Sequence, residues 1–94
     1  QGATGIAMTS PQSGALRLRT SPEGLCLGYW LSEPAPVRIE LVDAVGRRLL
    51  LRATEWDAAG YHERTFSLTL PSGWYLLQLW KGTERTSQPF LWLR

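Results

Sequence analysis

Cys26 and His62 are the only cysteine and the only histidine in the 94 residues, so nucleophilic or general-base chemistry has little to start from. Cys26 sits between leucines in LCLGYWL, which reads as a structural thiol. One cysteine allows no intrachain disulfide and no CxxC pattern, and leaves an intermolecular bridge as its only covalent use. His62, in YHERTF, reads as a surface or turn-adjacent residue, with no local partner to make it a base. Glu55 and Asp57 flank Trp56 next to a turn, and two such carboxylates can begin a calcium site. Calcium takes about six to eight oxygens, however, and no further ligand pattern follows. No phosphate-cradling glycine loop, zinc spacing or GxSxG elbow is present. We therefore expect no catalytic residue, no cofactor and no metal, in a protein that is not an enzyme.

Arginine supplies all but one of the basic residues, and Arg17, Arg19, Arg47, Arg48 and Arg52 invite a nucleic-acid reading. A formal net charge of +2 is too small for a concentrated phosphate-binding patch. Arginines alternating with leucines instead suggest the solvent face of edge strands, where charge discourages unwanted pairing. The tryptophans carry the stronger signal. In LPSGWYLLQLWKG, Tyr75, Leu77 and Leu79 alternate with Trp74, Leu76, Gln78 and Trp80, and neither face is polar. In LCLGYWL, Trp30 falls opposite Leu25, Leu27, Tyr29 and Leu31. An outward aromatic stripe of Trp30, Trp74, Leu76 and Trp80 is the candidate interaction surface, because monomers rarely expose so large an apolar patch. In FLWLR both faces are apolar, and periodicity cannot choose a side for Trp92.

The elements that must position these residues are strands. Turn signals recur at Pro11–Gly14, Pro22–Gly24, Pro34–Pro36, Ala44–Gly46, Asp57–Gly60, Pro71–Gly73 and Lys81–Glu84. The runs between them alternate: Val37, Ile39 and Leu41 against Arg38 and Glu40, and Phe66, Leu68 and Leu70 against Thr65, Ser67 and Thr69. Short strands at about 8–12-residue spacing predict an all-β, antiparallel, immunoglobulin-like sandwich of about seven strands. No helical period competes. With 44% hydrophobic and 19% charged residues the chain has the composition of one small folded domain. We divide it into an arm over residues 1–13, extended and paired with a partner, and a sandwich over residues 14–94. The arm, QGATGIAMTSPQS, is uncharged and small, with little apolar surface to hold it to its own core. A start at Gln1 suggests a product processed from a precursor. No apolar run approaches the roughly 20 residues of a membrane-spanning helix.

VRIELVDAVGRRLL followed by AAGYHERTFSLTLPSGWYLLQLWKG resembles the C-terminal sorting domain of type IX secretion cargo, itself related to the Ig-like domain of flagellar hook-capping proteins. The matching segments are Val37-Arg38-Ile39 through Asp43 and Gly46-Arg47, then Ala59-Gly60-Tyr61-His62, then Ser72-Gly73-Trp74-Tyr75, then the last strand. The family's usual opening Pro-Asn-Pro and the basic residue before its last apolar run are replaced by Ser10-Pro11-Gln12 and Gln88-Pro89. The resemblance implies secretion, and sorting or anchoring at a cell surface by the secretion machinery.

Three functions follow as expectations. The first is an extracellular structural subunit whose partners are copies of itself, assembling as a filament or surface layer by β-strand pairing and tryptophan packing. The second is the sorting and anchoring role that the resemblance implies. The third is a carbohydrate-binding module that uses Trp74 and Trp80. These two are six residues apart, or roughly 20 Å along a strand, which suits a polysaccharide only loosely.

Overall fold

The computed structural model describes residues 16–93, so the arm over residues 1–13 lies outside the described residues. Seven strands follow one another, β1 (Leu16–Ser21), β2 (Gly24–Leu31), β3 (Ala35–Asp43), β4 (Arg48–Asp57), β5 (Gly60–Phe66), β6 (Gly73–Lys81) and β7 (Glu84–Trp92). They form two antiparallel sheets, β1-β2-β5 and β4-β3-β6-β7, and the all-β sandwich is as expected.

Alternation in sequence becomes alternation in burial. Leu25, Leu27, Tyr29 and Leu31 of β2 face Val37, Ile39 and Leu41 of β3 and Tyr75, Leu77 and Leu79 of β6 across the core. Leucine, isoleucine and valine side chains taken fully out of water stabilise the fold by about 1.5–3 kcal/mol each. Trp92 joins this core, and its indole Nε1 donates to the Leu70 carbonyl at 3.1 Å. The same crossing is pinned a second time, where the Tyr75 hydroxyl donates to the Pro71 carbonyl at 2.7 Å. A tyrosine at the start of the sixth strand, bonded four residues upstream, has the geometry of the tyrosine corner of Greek-key sandwiches. Phe66, Leu68 and Leu70 remain half-buried against the core, yet β5 stops at Phe66. The expected strand over the whole of YHERTFSLTL is thus half ladder and half crossing between sheets, with the period-2 pattern kept by packing alone.

The strand order differs from an immunoglobulin constant domain at one place. There the fourth strand lies in the sheet of the first, second and fifth; here β4 pairs with β3. The reason is local. Between β3 and β4 the chain turns at Gly46, whose φ of 92° suits glycine. The Asp43 carboxylate accepts the backbone N–H groups of Val45 and Arg47 at 3.0 and 2.8 Å, which closes the hairpin. Two register shifts then bulge β4 against β3, so that Arg52 rather than Leu51 stands opposite Ile39.

Candidate interaction surfaces

The acids and the histidine that could have done chemistry are drawn into a structural corner. The shift in β4 changes which residues face inward, and Arg52 and Asp57 both become nearly buried. Asp57 accepts from the Tyr29 hydroxyl of β2 at 2.6 Å, and from the guanidiniums of Arg52 and of Arg64 in β5 at 2.8 Å each. Burial alone would raise the Asp57 pKa; the Tyr29 hydrogen bond and the charges of Arg52 and Arg64 outweigh it and leave the carboxyl below its ordinary value. His62 stacks on Tyr29 with ring centroids 5.5 Å apart, and its Nε2 lies 2.7 Å from the Ala58 carbonyl. This clasp ties the β4 edge of one sheet to β2 and β5 of the other. Arg52 therefore departs from the expected solvent-facing arginines, and Glu55, exposed, pairs with it at 3.2 Å. Among the described residues, no group of three or more histidine, cysteine, aspartate or glutamate side chains is placed to hold a metal ion.

The second face of β6 is covered partly by the chain itself. Across the outer face of the four-stranded sheet, cross-strand register sets Glu40 beside Gln78, Arg38 beside Trp80, and Val42 beside both Leu76 and Arg48. Glu40 is only 6% exposed although it points away from the core. Arg38 grips its Oε2 through Nε at 2.8 Å and through Nη2, and Arg48 Nη1 bridges Glu40 Oε1 at 3.0 Å and Gln78 Oε1 at 3.1 Å. The hydrogen bond from Arg38 is the main cause that holds the Glu40 carboxyl below its usual range; desolvation opposes it and Arg48 adds to it. The arginine stems lie over this part of the sheet, as long charged side chains do when only their heads need water.

This charged belt divides the expected stripe. On one side lie Trp74, 61% exposed, and its cross-strand neighbour Leu91, 42% exposed, with Leu76 half-buried next to Pro89. On the other lies Trp80, half-buried beside Arg38. Trp30 is on neither side. It is 55% exposed on the outer face of the three-stranded sheet, directly across from Tyr61 at 47%. The four residues singled out from the sequence thus occupy three places: an apolar pair at one end of one face, a groove at the other end, and an aromatic pair on the opposite face.

Leu91 and Tyr61 escaped the sequence reading because each gains its role from the strand it pairs with, not from its own run. Glu40 escaped because outward parity in VRIELVD implies solvent, and only the neighbouring arginines bury it. Cys26 is half-buried on the outer face of β2, with an Arg19 Nη2 donating to its Sγ at 3.5 Å. No protein-family model matches the chain, and no curated protein matches it.

Proposed function

We propose that the protein is a non-enzymatic structural module that associates with copies of itself. One observation carries this reading: two exposed aromatic or apolar cross-strand pairs, Trp30–Tyr61 and Trp74–Leu91, stand on opposite outer faces of the sandwich. A face that meets a different face of the next copy forms a heterologous contact, and such contacts build rings or open filaments rather than closed pairs. Neither pair is charged, so each suits another apolar face better than an ionic partner. Tryptophan and tyrosine are also the residues most often found at energetic centres of interfaces. The extracellular setting comes with the resemblance to secreted sorting domains. Strand donation by residues 1–13 belongs to this reading as a further means of joining copies.

Light scattering over a range of concentrations tests it, with Trp30→Ser and Trp74→Ser made separately. Each variant should fold as the parent does and shift the assembly toward monomer. A parent chain that stays monomeric at high concentration would remove the reading. That result would favour the second one, in which the exposed Trp74 end is read by secretion or anchoring machinery. Its support is that Trp74 lies within Ser72-Gly73-Trp74-Tyr75, a segment on which the resemblance rests.

A further inference from the structure

The far end of the same outer face holds a feature that self-association does not use. Pro36, Arg38, Glu40, Arg48, Thr54, Trp80 and Gly82 line an open depression of about 490 Å³, within the range of small-ligand sites. Its charged members are held in place. Arg38 and Arg48 are locked onto the buried Glu40 from two sides, and their remaining N–H groups have no protein partner among the described residues. Among the lining residues, Arg38 and Arg48 against Glu40 leave one net positive charge. Trp80 supplies a half-buried indole next to Arg38. A side chain at Gly82 would meet nothing within 4 Å, so the rim there is open.

We propose that this groove binds an acidic saccharide, with a pyranose ring against Trp80 and its carboxylate or sulfate on Arg38 and Arg48. A flat indole beside fixed guanidiniums matches a ring that has an apolar C–H face and an anionic substituent. The Thr54 hydroxyl can donate to or accept from a sugar hydroxyl. The charge excess of the groove is too small for a phosphodiester chain. Preorganisation contributes: ion pairs with the buried Glu40 hold both guanidiniums at the groove, which lowers the ordering cost of binding. The groove also supplies the polar groups that Trp74 and Trp80 lack when taken as a platform by themselves.

The test is titration of the whole chain with a uronic-acid oligosaccharide, its neutral counterpart and inorganic sulfate, followed by the indole N–H resonances in NMR. Saturable binding of the uronate is expected, with the Trp80 resonance moving most and affinity falling as salt is raised. Arg48→Gln, which leaves Arg38 on Glu40, should weaken binding about tenfold or more, as should Trp80→Leu. The neutral sugar should bind at least about tenfold more weakly than the uronate. Sulfate binding as tightly as the uronate, with Trp80→Leu without effect, would reduce the site to a simple anion contact and overturn the proposal. So would binding that leaves the Trp80 resonance still, or the absence of saturation up to about 10 mM. Circular dichroism of both variants separates lost binding from lost fold, and Trp74→Ser, at the other end of the face, should bind as the parent does.

Discussion

Asp57 shows how a single carboxylate can be removed from chemistry and given to stability. It joins β4 to Tyr29 and Arg64 of the other sheet, and Arg52 completes the cage. Asp57→Asn keeps the shape and removes the charge, leaving two arginines facing each other. We expect a loss of about 2–4 kcal/mol at pH 7, measured as a lower urea midpoint. The pH dependence has a definite sign. Asp57 and Glu40 both have native pKa values below the ordinary carboxylate range. As pH falls below about 4, the unfolded chain takes up protons that the native chain still refuses, and stability declines. Their contribution is complete above the unfolded value and is lost as pH drops through the native one. Asp57→Asn should therefore flatten the acid limb, and an unaltered limb would mean that other groups set it. At the corner, Tyr75→Phe removes the bond to Pro71 and should cost about 1 kcal/mol with the core volume nearly kept, again read from the urea midpoint.

Two glycines in β2 look alike in sequence and differ in what surrounds them. A Cβ on Gly24 would lie 2.0 Å from the backbone carbonyl oxygen of Phe66, so β2 and β5 would have to part. A Cβ on Gly28 would meet the Tyr61 hydroxyl at the same distance, but that is the tip of an exposed side chain, held only by a 3.3 Å hydrogen bond to the exposed Glu63, and it can swing away. Gly24→Ala should cost several kcal/mol, as strain that cannot relax does, and Gly28→Ala under about 1 kcal/mol. Thermal melts of the pair decide the matter, and equal losses would mean that Tyr61 is held more firmly than its exposure suggests. Strand edges follow the same logic. β4 is bulged, β7 carries Pro89, and β1 is only six residues long with Arg17 and Arg19 facing out, all devices that discourage unplanned pairing.

At the scale of the whole molecule, the two outer faces behave differently. The three-stranded sheet presents Trp30 and Tyr61, while the four-stranded one is split into an apolar end, a charged belt and the Trp80 groove. Trp74→Ser should weaken association by about 2 kcal/mol, the usual size of a tryptophan hot spot, and leave the melting temperature nearly unchanged. Trp80→Ser should have little effect on association, because the belt separates it from the Trp74 end. If light scattering shows the two substitutions to be equally damaging, the interface extends across the belt and the groove is covered in the assembly.

Some of this was determined by the amino-acid sequence alone. The all-β class, the number of strands and their approximate places, the turns at Gly46, Gly60 and Gly73, and the inward set of Val37, Ile39, Leu41, Tyr75, Leu77 and Leu79 are local properties. Alternation and glycine conformation do not depend on the rest of the chain. Only the tertiary structure decided which strands share a sheet, and hence that Trp30 and Trp74 lie on opposite faces. Trp92, which periodicity had allowed on either side, went inward because the register of β7 on β6 puts it in phase with the buried Phe90, and the Leu70 carbonyl satisfies its indole N–H. Arg52 went inward because bulges in β4 moved it into phase with Ile39, and a one-residue shift exchanges the faces of a strand. Glu40, outward by parity, became buried because register set Arg38, Arg48 and Gln78 around it. In each case a side chain's surroundings come from residues distant in sequence, and periodicity along one strand contains no information about the register of the next.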